Sequence, residues 1–335
     1  MKLYELLENN AVTSIGDTEI SSLTDDTRKV TEGSLFVCVK GGSFDGHTAA
    51  AEMLEKGAAA VVCERDLGLG DRQILTDNSR RLYGKLCAAW FGHPERKLKM
   101  IGVTGTNGKT TIATLLYDLY RRMGYRVGLI STVVYRIDER EIASTHTTPD
   151  SIRLNAMLHE MVEAGCDYCF MEVSSHSVVQ QRIRGLRFCG AIFTNLTHDH
   201  LDYHGTMAEY IKAKKGLFDS LDKRAFALVN IDDRNGDVMV QNTRAKVSRY
   251  SLRSMADFRC KVLEMLFDGM LLRVNAHDVW VKFLGRFNAY NLLCVYGAAV
   301  LLGSDEQEVL QALSSLHSVS GRLEPVRSEG GVTAI

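Results

Sequence analysis

Between residues 98 and 231, short apolar runs alternate with helical patterns. The runs are MIGVTG (100–105), RVGLIST (126–132), YCFMEVS (168–174), CGAIFTN (189–195) and AFALVNI (225–231). The helical patterns are TIATLLYDLYRRMG, SIRLNAMLHEMVEAG and MAEYIKAKKGLFDSL. Runs this apolar fit strands buried on both faces, and helices between strands supply crossovers, so the order predicts a mostly parallel sheet wrapped by helices. At 257–283 the texture changes to DFRCKVLEMLFDGMLLRVNAHDVWVKF, which predicts antiparallel strands with a turn at Asp268-Gly269, a β excursion on the sheet edge. Two helical patterns follow, Asn288 to Leu302 and Asp305 to His317, and Val332 to Ile335 reads as the first residues of another strand.

A chain of 335 residues exceeds one ordinary domain. The first 97 residues predict a small mixed α/β domain, with strands LFVCV (35–39) and AAAVVC (58–63) and helices TAAAEMLEKG and RRLYGKLCAAWFG. The stretch His93-Pro94-Glu95-Arg96-Lys97 breaks that pattern, because proline disfavours helix at the residue before it and the charges suit a surface connection. The domain boundary is expected there.

The apolar content of 45% supports real cores, and 40 Lys+Arg against 41 Asp+Glu leave no bulk charge that points to nucleic acid or an anionic membrane. The start MKLYELLENNAVTSIG lacks the basic-then-apolar order of a signal peptide, and no stretch approaches the roughly 20 apolar residues of a spanning helix. A cytoplasmic monomer without membrane insertion is expected. The eight cysteines are scattered, several inside strand-like runs, so no disulfide framework is implied. Cys166 and Cys169 form a C-x-x-C, but Cys169 falls inside a strand pattern, and core packing is the expected role.

The stretch TGTNGKT (104–110) ends in the Gly-Lys-Thr of a phosphate loop, yet the common G-x-x-x-x-G-K-[ST] pattern would need Gly at 103 and finds Val103. The context still suits phosphate. A strand runs in, Gly105 and Gly108 permit close backbone approach, and a helix N-terminus begins at Lys109. Lys109 adds a mobile charge, and the Thr110 hydroxyl can ligate Mg²⁺.

Two further stretches gather polar groups after strands, where open α/β sheets place ligands. TNLTHDHLDYHGTMAEYIKAKKGLF (194–218) brings His198, Asp199, His200, Asp202 and His204 before a helix carrying Lys212, Lys214 and Lys215, which pattern alone does not rank. MEVSSHSVVQQRIRG (171–185) puts Glu172 at the end of a buried strand, where a carboxylate is costly unless paired or metal-bound. With Thr110 and His200 it would make a Mg²⁺ shell, and Ser174, His176, Gln180 and Arg182 offer hydrogen bonds to a polar, anionic substrate.

Together these stretches resemble the Mur ligases of peptidoglycan synthesis, whose phosphate loop is the shorter GTNGKT form. TDDTRKVTEGSLFVCVKGGSFDGH (24–47), HTTPDS (146–151), MEVSSHSVVQQR, TNLTHDHLDYHG and GRFNAYN (285–291) carry the resemblance, which is closest to the MurE branch. It implies an ATP-dependent ligase joining an amino acid, meso-diaminopimelate or L-lysine, to UDP-N-acetylmuramoyl-L-alanyl-D-glutamate through an acyl phosphate. It implies that Gly105, Thr106, Asn107, Gly108, Lys109, Thr110 and Thr111 hold ATP phosphates, with Asn288, Asn291 and Arg322 on the adenine nucleotide. Thr110, Glu172, His200 and Lys214 would serve Mg²⁺, Lys214 as a carbamate, and Lys109, Glu172, His200 and Lys214 would be catalytic. Thr27, Arg28, Gly41, Gly42, Asp45, Gly46 and His47 would hold the uridine diphosphate end, and His146, Thr147, Thr148, Ser174, Gln180 and Arg182 the muramoyl dipeptide.

The resemblance also implies the organisation: a UDP-binding domain over 1–97, a P-loop ATPase-like central domain over 98–325, and only the start of a third domain over 326–335. His146 departs from the family's pattern, which has Asn there. The competing readings are a MurF-type ligase and a nucleotide- or UDP-sugar-binding module without complete catalysis.

Overall fold

The computed structural model describes residues 1–8, 15–197 and 201–319, the side chains of Leu201 and Asp202 excepted, with the backbone of two short paired strands, Val326–Arg327 and Thr333–Ala334. The chain forms two compact units. The first holds Met1–Lys97 and also takes in Pro149–Glu160 and Val179–Leu186, and the second holds Leu98–Thr148, Met161–Val178 and Arg187–Ile335. The first break falls at the charged stretch after Pro94. The two later segments join the first unit because their side chains pack there: Ile152, for example, lies against the cluster of Leu3, Leu35, Val62 and Leu86.

The first unit is built on a four-stranded parallel sheet in the order Ser22–Thr24, Ser34–Val37, Ala60–Cys63, Gln73–Leu75. Its central strands are buried on both faces, since Leu35 and Val37 join one apolar cluster while Phe36 and Cys38 join another. That two-sided burial explains why the run reads as uninterrupted apolar sequence. All four strands end at the same sheet edge, which brings the loops after Thr24, Val37, Cys63 and Leu75 together.

The second unit carries an eleven-stranded sheet. Six strands, Lys246–Ser251, Phe226–Asn230, Gly190–Phe193, Lys99–Thr104, Tyr168–Glu172 and Val127–Ile130, are parallel neighbours in that order. Lys99–Thr104 comes first in sequence but lies between Tyr168–Glu172 and Gly190–Phe193. The chain therefore winds away to one side and later returns to the other, leaving a crevice beyond the carboxyl end of Lys99–Thr104.

Antiparallel strands finish both edges. Phe258–Leu266 pairs in parallel with Lys246–Ser251 and then runs antiparallel to Gly269–Val274, which with His277–Val281 completes the expected excursion, and Val134–Ile137 with Arg140–Ala143 form a hairpin absent from the sequence-based expectation. Helix Lys109–Arg122 buries Ile112, Leu115, Leu116, Leu119 and Tyr120 in the same core as helix Arg286–Leu301, which is apolar nearly all round. All eight cysteines are free thiols, and Cys166 and Cys169 are buried. Among the described residues no helix is long and apolar enough to cross a membrane.

Candidate active site

The loop after Lys99–Thr104 takes its shape from two glycines and a clasp. Gly105 sits at φ +146 and Gly108 at φ +87, conformations that residues with a Cβ rarely adopt. The Thr194 hydroxyl donates to the Asn107 carbonyl at 2.6 Å, Thr106 N–H donates to the Asn195 carbonyl at 2.8 Å, and Asn107 N–H donates to Asn195 Oδ1 at 3.0 Å. Thr194 and Asn195 thus hold the loop from the neighbouring strand end. Helix Lys109–Arg122 starts directly after it, so its unsatisfied N–H groups face the crevice.

A cavity of about 200 Å³ opens there. The loop residues Thr106 to Thr111, with Thr132, Thr147, Glu172, Ser174, Ser175 and Lys214, line it. Glu172 is wholly buried, and Thr132 grips it twice: backbone N–H to Oε1 at 2.7 Å and hydroxyl to Oε2 at 3.2 Å. Thr148 donates its hydroxyl to the Glu172 carbonyl at 2.8 Å and accepts from Ser174 N–H at 3.2 Å, which locks the two substrate motifs to one strand end.

Of the three lysines left unranked, the structure buries one. Lys214 lies 1% exposed, lines the cavity, donates to the Gly105 carbonyl at 2.8 Å and sits 4.6 Å from the centroid of the Tyr210 ring. Lys215 instead pairs with Asp219 at 2.6 Å, and Lys212 faces solvent beside Glu209. Lys109 folds onto its own loop, donating to the carbonyls of Gly105 at 2.9 Å and Thr106 at 2.7 Å. Two lysines, one buried carboxylate and the Thr110 hydroxyl therefore share one polar cavity.

A second cavity of about 480 Å³ shares Asn107 and Gly108 with the first and is walled by Phe287, Tyr290, Asn291, Asn230 and Arg253. Asn291 lines it directly. Asn288 is buried behind it, accepting from Asn291 Nδ2 at 3.2 Å and donating to the Leu284 carbonyl at 2.8 Å, and so supports Asn291.

In the first unit, Arg28 is paired at 2.9 and 2.8 Å with Asp26, whose carboxyl those hydrogen bonds pull down to about 2. The Thr27 carbonyl accepts from Lys56 at 2.8 Å. Gly41 N–H bonds the Phe44 carbonyl at 2.7 Å, and Gly42 stands in open space. The Gly46 N–H bonds the Val39 carbonyl at 3.0 Å. His47 is buried, and its ring is engaged at both nitrogens: Nδ1 meets Asp45 at 2.6 Å and Nε2 accepts from Glu64 N–H at 3.0 Å. Acceptance at Nε2 places the ring proton on Nδ1. His47 thereby acts as a buckle for the loop. Asp45, held by the His47 ring and backbone, titrates near 2.

Gln180 and Arg182 belong to the first unit and bond each other at 3.0 and 2.7 Å. His146 is exposed. Its backbone is tied to the buried Tyr135 hydroxyl, which donates to the His146 carbonyl at 2.5 Å and accepts from His146 N–H at 3.0 Å. His204 Nε2 lies 2.9 Å from the Ser175 hydroxyl, and the His176 ring packs on Tyr203. His198, Asp199, His200 and Arg322 lie outside the described residues, as does the side chain of Asp202. Among the described residues no group of three or more His, Cys, Asp or Glu is placed to hold a metal. Thr132 and Tyr135 lie outside every motif of the sequence, and Thr194 and Asn195 open the TNLTHDHLDYHG motif without a role of their own being expected for them.

Comparison with known proteins decides the family. The Mur ligase middle domain matches residues 103–299, and a second family description, Mur ligase family, catalytic domain, matches 19–85. The chain belongs to the Mur ligase family. It is 55% identical over its whole length to the UDP-N-acetylmuramoyl-L-alanyl-D-glutamate–2,6-diaminopimelate ligase of Phocaeicola vulgatus, covering 70% of that protein. The protein of the same name from Bacteroides fragilis is 53% identical with the same coverage.

Among solved structures, a UDP-N-acetylmuramoyl-L-alanyl-D-glutamate–2,6-diaminopimelate ligase matches 98% of the chain and 69% of its own length at TM-score 0.86 and 28% identity. MurF of Thermotoga maritima in complex with ADP matches 93% of the chain and 69% of its own length at TM-score 0.60 and 21% identity, a likeness of fold. The Mur ligase architecture explains the small parallel-sheet unit and the larger one with the phosphate loop.

Proposed function

We propose that this chain carries the substrate- and nucleotide-binding parts of an ATP-dependent MurE-type ligase. In this reading it adds 2,6-diaminopimelate, as its relatives' name says, to UDP-N-acetylmuramoyl-L-alanyl-D-glutamate in the cytoplasm. The observation that carries the reading is the shared cavity, where a phosphate loop, two lysines, a buried carboxylate and the hydroxyls of Thr147 and Ser174 meet. Phosphoryl transfer to a carboxylate joins two anions, so it calls for charge neutralisation and alignment more than for a base.

The residues present fit Mg²⁺ and ATP. Glu172 is a wholly buried carboxylate whose hydrogen bonds come from the neutral Thr132, and it faces the same cavity as the Thr110 hydroxyl. A cation suits such a group. Thr110 and Glu172 would hold Mg²⁺, joined by Lys214 as its carbamate and by His200. Bound Mg²⁺ would supply neutralisation of the phosphate oxygens.

Lys109, released from the loop carbonyls, binds the phosphates of ATP together with the loop and helix N–H groups. Asn291, braced by Asn288, lines the cavity beside the loop that suits the rest of the nucleotide. Thr147 and Ser174 orient the peptide carboxylate, Thr148 bracing Ser174 from behind, and the amine of diaminopimelate attacks the resulting acyl phosphate and expels inorganic phosphate. Asp45, Gly46 and His47 shape the loop that receives the uridine diphosphate end, with Thr27, Arg28, Gly41 and Gly42 at the same sheet edge.

The deciding experiment follows ADP release with ATP and Mg²⁺, with and without UDP-N-acetylmuramoyl-L-alanyl-D-glutamate, using either meso-diaminopimelate or L-lysine. Release that requires the dipeptide and diaminopimelate supports the reading. Release that ignores the dipeptide, or prefers lysine, contradicts it.

A further inference from the structure

Thr132 belongs to no motif of the sequence reading, yet it stands between two parts of the cavity. Its hydroxyl lies 3.2 Å from Glu172 Oε2 and 3.1 Å from the Thr147 hydroxyl, and its backbone N–H bonds Glu172 Oε1 at 2.7 Å. A hydroxyl has one proton to give, and a carboxylate accepts more strongly than a neutral hydroxyl. The Thr132 hydroxyl is the donor in both contacts, its one proton shared between Glu172 and Thr147, so Thr147 accepts from Thr132 and keeps its own proton to give to a ligand.

We propose that Thr132 is a positioning residue that couples the metal-side carboxylate Glu172 to the substrate-side hydroxyl Thr147. It holds Glu172 against the cavity and, by filling an acceptor site on Thr147, leaves the Thr147 proton free to be given to the carboxylate of the peptide substrate. This inference rests on the proposed function. The short segment Ser131 to Val134 is built for the task, because the Ser131 hydroxyl donates to the Val134 carbonyl at 2.8 Å and pins the turn that presents Thr132.

The test measures binding rather than turnover. Calorimetry on the chain follows UDP-N-acetylmuramoyl-L-alanyl-D-glutamate in one titration and ADP at graded Mg²⁺ in another. Thr132→Val removes the hydroxyl and keeps volume and backbone N–H, and loss of one hydrogen bond to a charged group corresponds to a change of roughly ten- to a hundredfold. Both affinities should fall by about that factor in Thr132→Val and return to within about twofold in Thr132→Ser.

Thr147→Val should weaken the dipeptide alone. The double variant with Thr132→Val should then cost less than the product of the two single effects. Thr132 is exposed, so these variants should fold, and Thr132→Ala serves if the valine variant does not. A Thr132→Val protein that moves neither affinity, or only one, overturns the proposal, as does a Thr132→Ser protein as impaired as the valine variant. Failure of the parent chain to bind the dipeptide would instead overturn the proposed function.

Discussion

Replacing Gly105 by alanine tests the loop geometry with a single methyl group. Gly105 holds φ +146, and the added Cβ would overlap the Thr194 hydroxyl oxygen and lie 3.0 Å from the Asn195 carbonyl oxygen. Backbone strain of this kind costs about 1–3 kcal/mol. Displacing Thr194 also breaks its 2.6 Å bond to the Asn107 carbonyl, worth about 1 kcal/mol. The sum, about 2–4 kcal/mol, lowers the melting temperature of the second unit by roughly 4–16 °C at the usual few degrees per kcal/mol.

The variant should also bind ADP at least about tenfold more weakly, since the displaced loop no longer presents its N–H groups together. Thermal melting followed by circular dichroism and ADP calorimetry read both effects. Adding Thr194→Ala removes the overlap but neither the strain nor the lost hydrogen bond, so it should recover little of this loss. Unchanged melting and unchanged ADP affinity in Gly105→Ala would refute the argued geometry.

Lys214→Ala should abolish ligase activity and its stimulation by bicarbonate, while Lys212→Ala, on the solvent face, should keep both; the reverse pattern would show that the wrong lysine is buried for this purpose. Thr110→Val should raise the Mg²⁺ concentration needed for ADP binding, because a hydroxyl ligand is lost at constant volume, and an identical Mg²⁺ titration would count against that role. The Asp45 carboxyl, held near 2 by the His47 ring, has a folded value below its ordinary one near 3.8. Its contribution to stability is therefore complete above about pH 4 and fades as the pH falls toward 2. Asp45→Asn should flatten acid unfolding of the first unit in that window, as read by fluorescence, whereas an unaltered acid curve would dissociate the His47 buckle from stability.

Much of the fold could be read because its strands are buried on both faces, which writes apolar runs such as Phe226–Asn230 and Tyr168–Glu172 directly into the sequence. The hairpin Val134–Ile137 with Arg140–Ala143 could not. Its exposed edge carries Arg136, Asp138, Glu139, Arg140 and Glu141, a charge pattern that also suits a loop, and Asp138 turns at φ +53 without a glycine to mark it. Ser22–Thr24 and Gln73–Leu75 are three residues each, too short for periodicity to register.

At the site, Glu172 was legible because a carboxylate ending an apolar run is conspicuous and Lys109 because it closes a glycine-rich loop, whereas Lys214 stood apart from Lys212 and Lys215 only through the family resemblance. Thr132 and Thr194 were not, since a threonine at a strand end is ordinary until the fold shows what its hydroxyl touches. His47 was legible as a motif member and its partner Asp45 lies two residues away in the same loop, but its other ring partner, Glu64, sits past a strand end seventeen residues away.

The most direct test of the account is one calorimetric titration of UDP-N-acetylmuramoyl-L-alanyl-D-glutamate into the chain at neutral pH. Saturable one-to-one binding that weakens in Ser174→Ala is the expected result. No binding heat from protein that melts cooperatively, or binding untouched by Ser174→Ala, would contradict it.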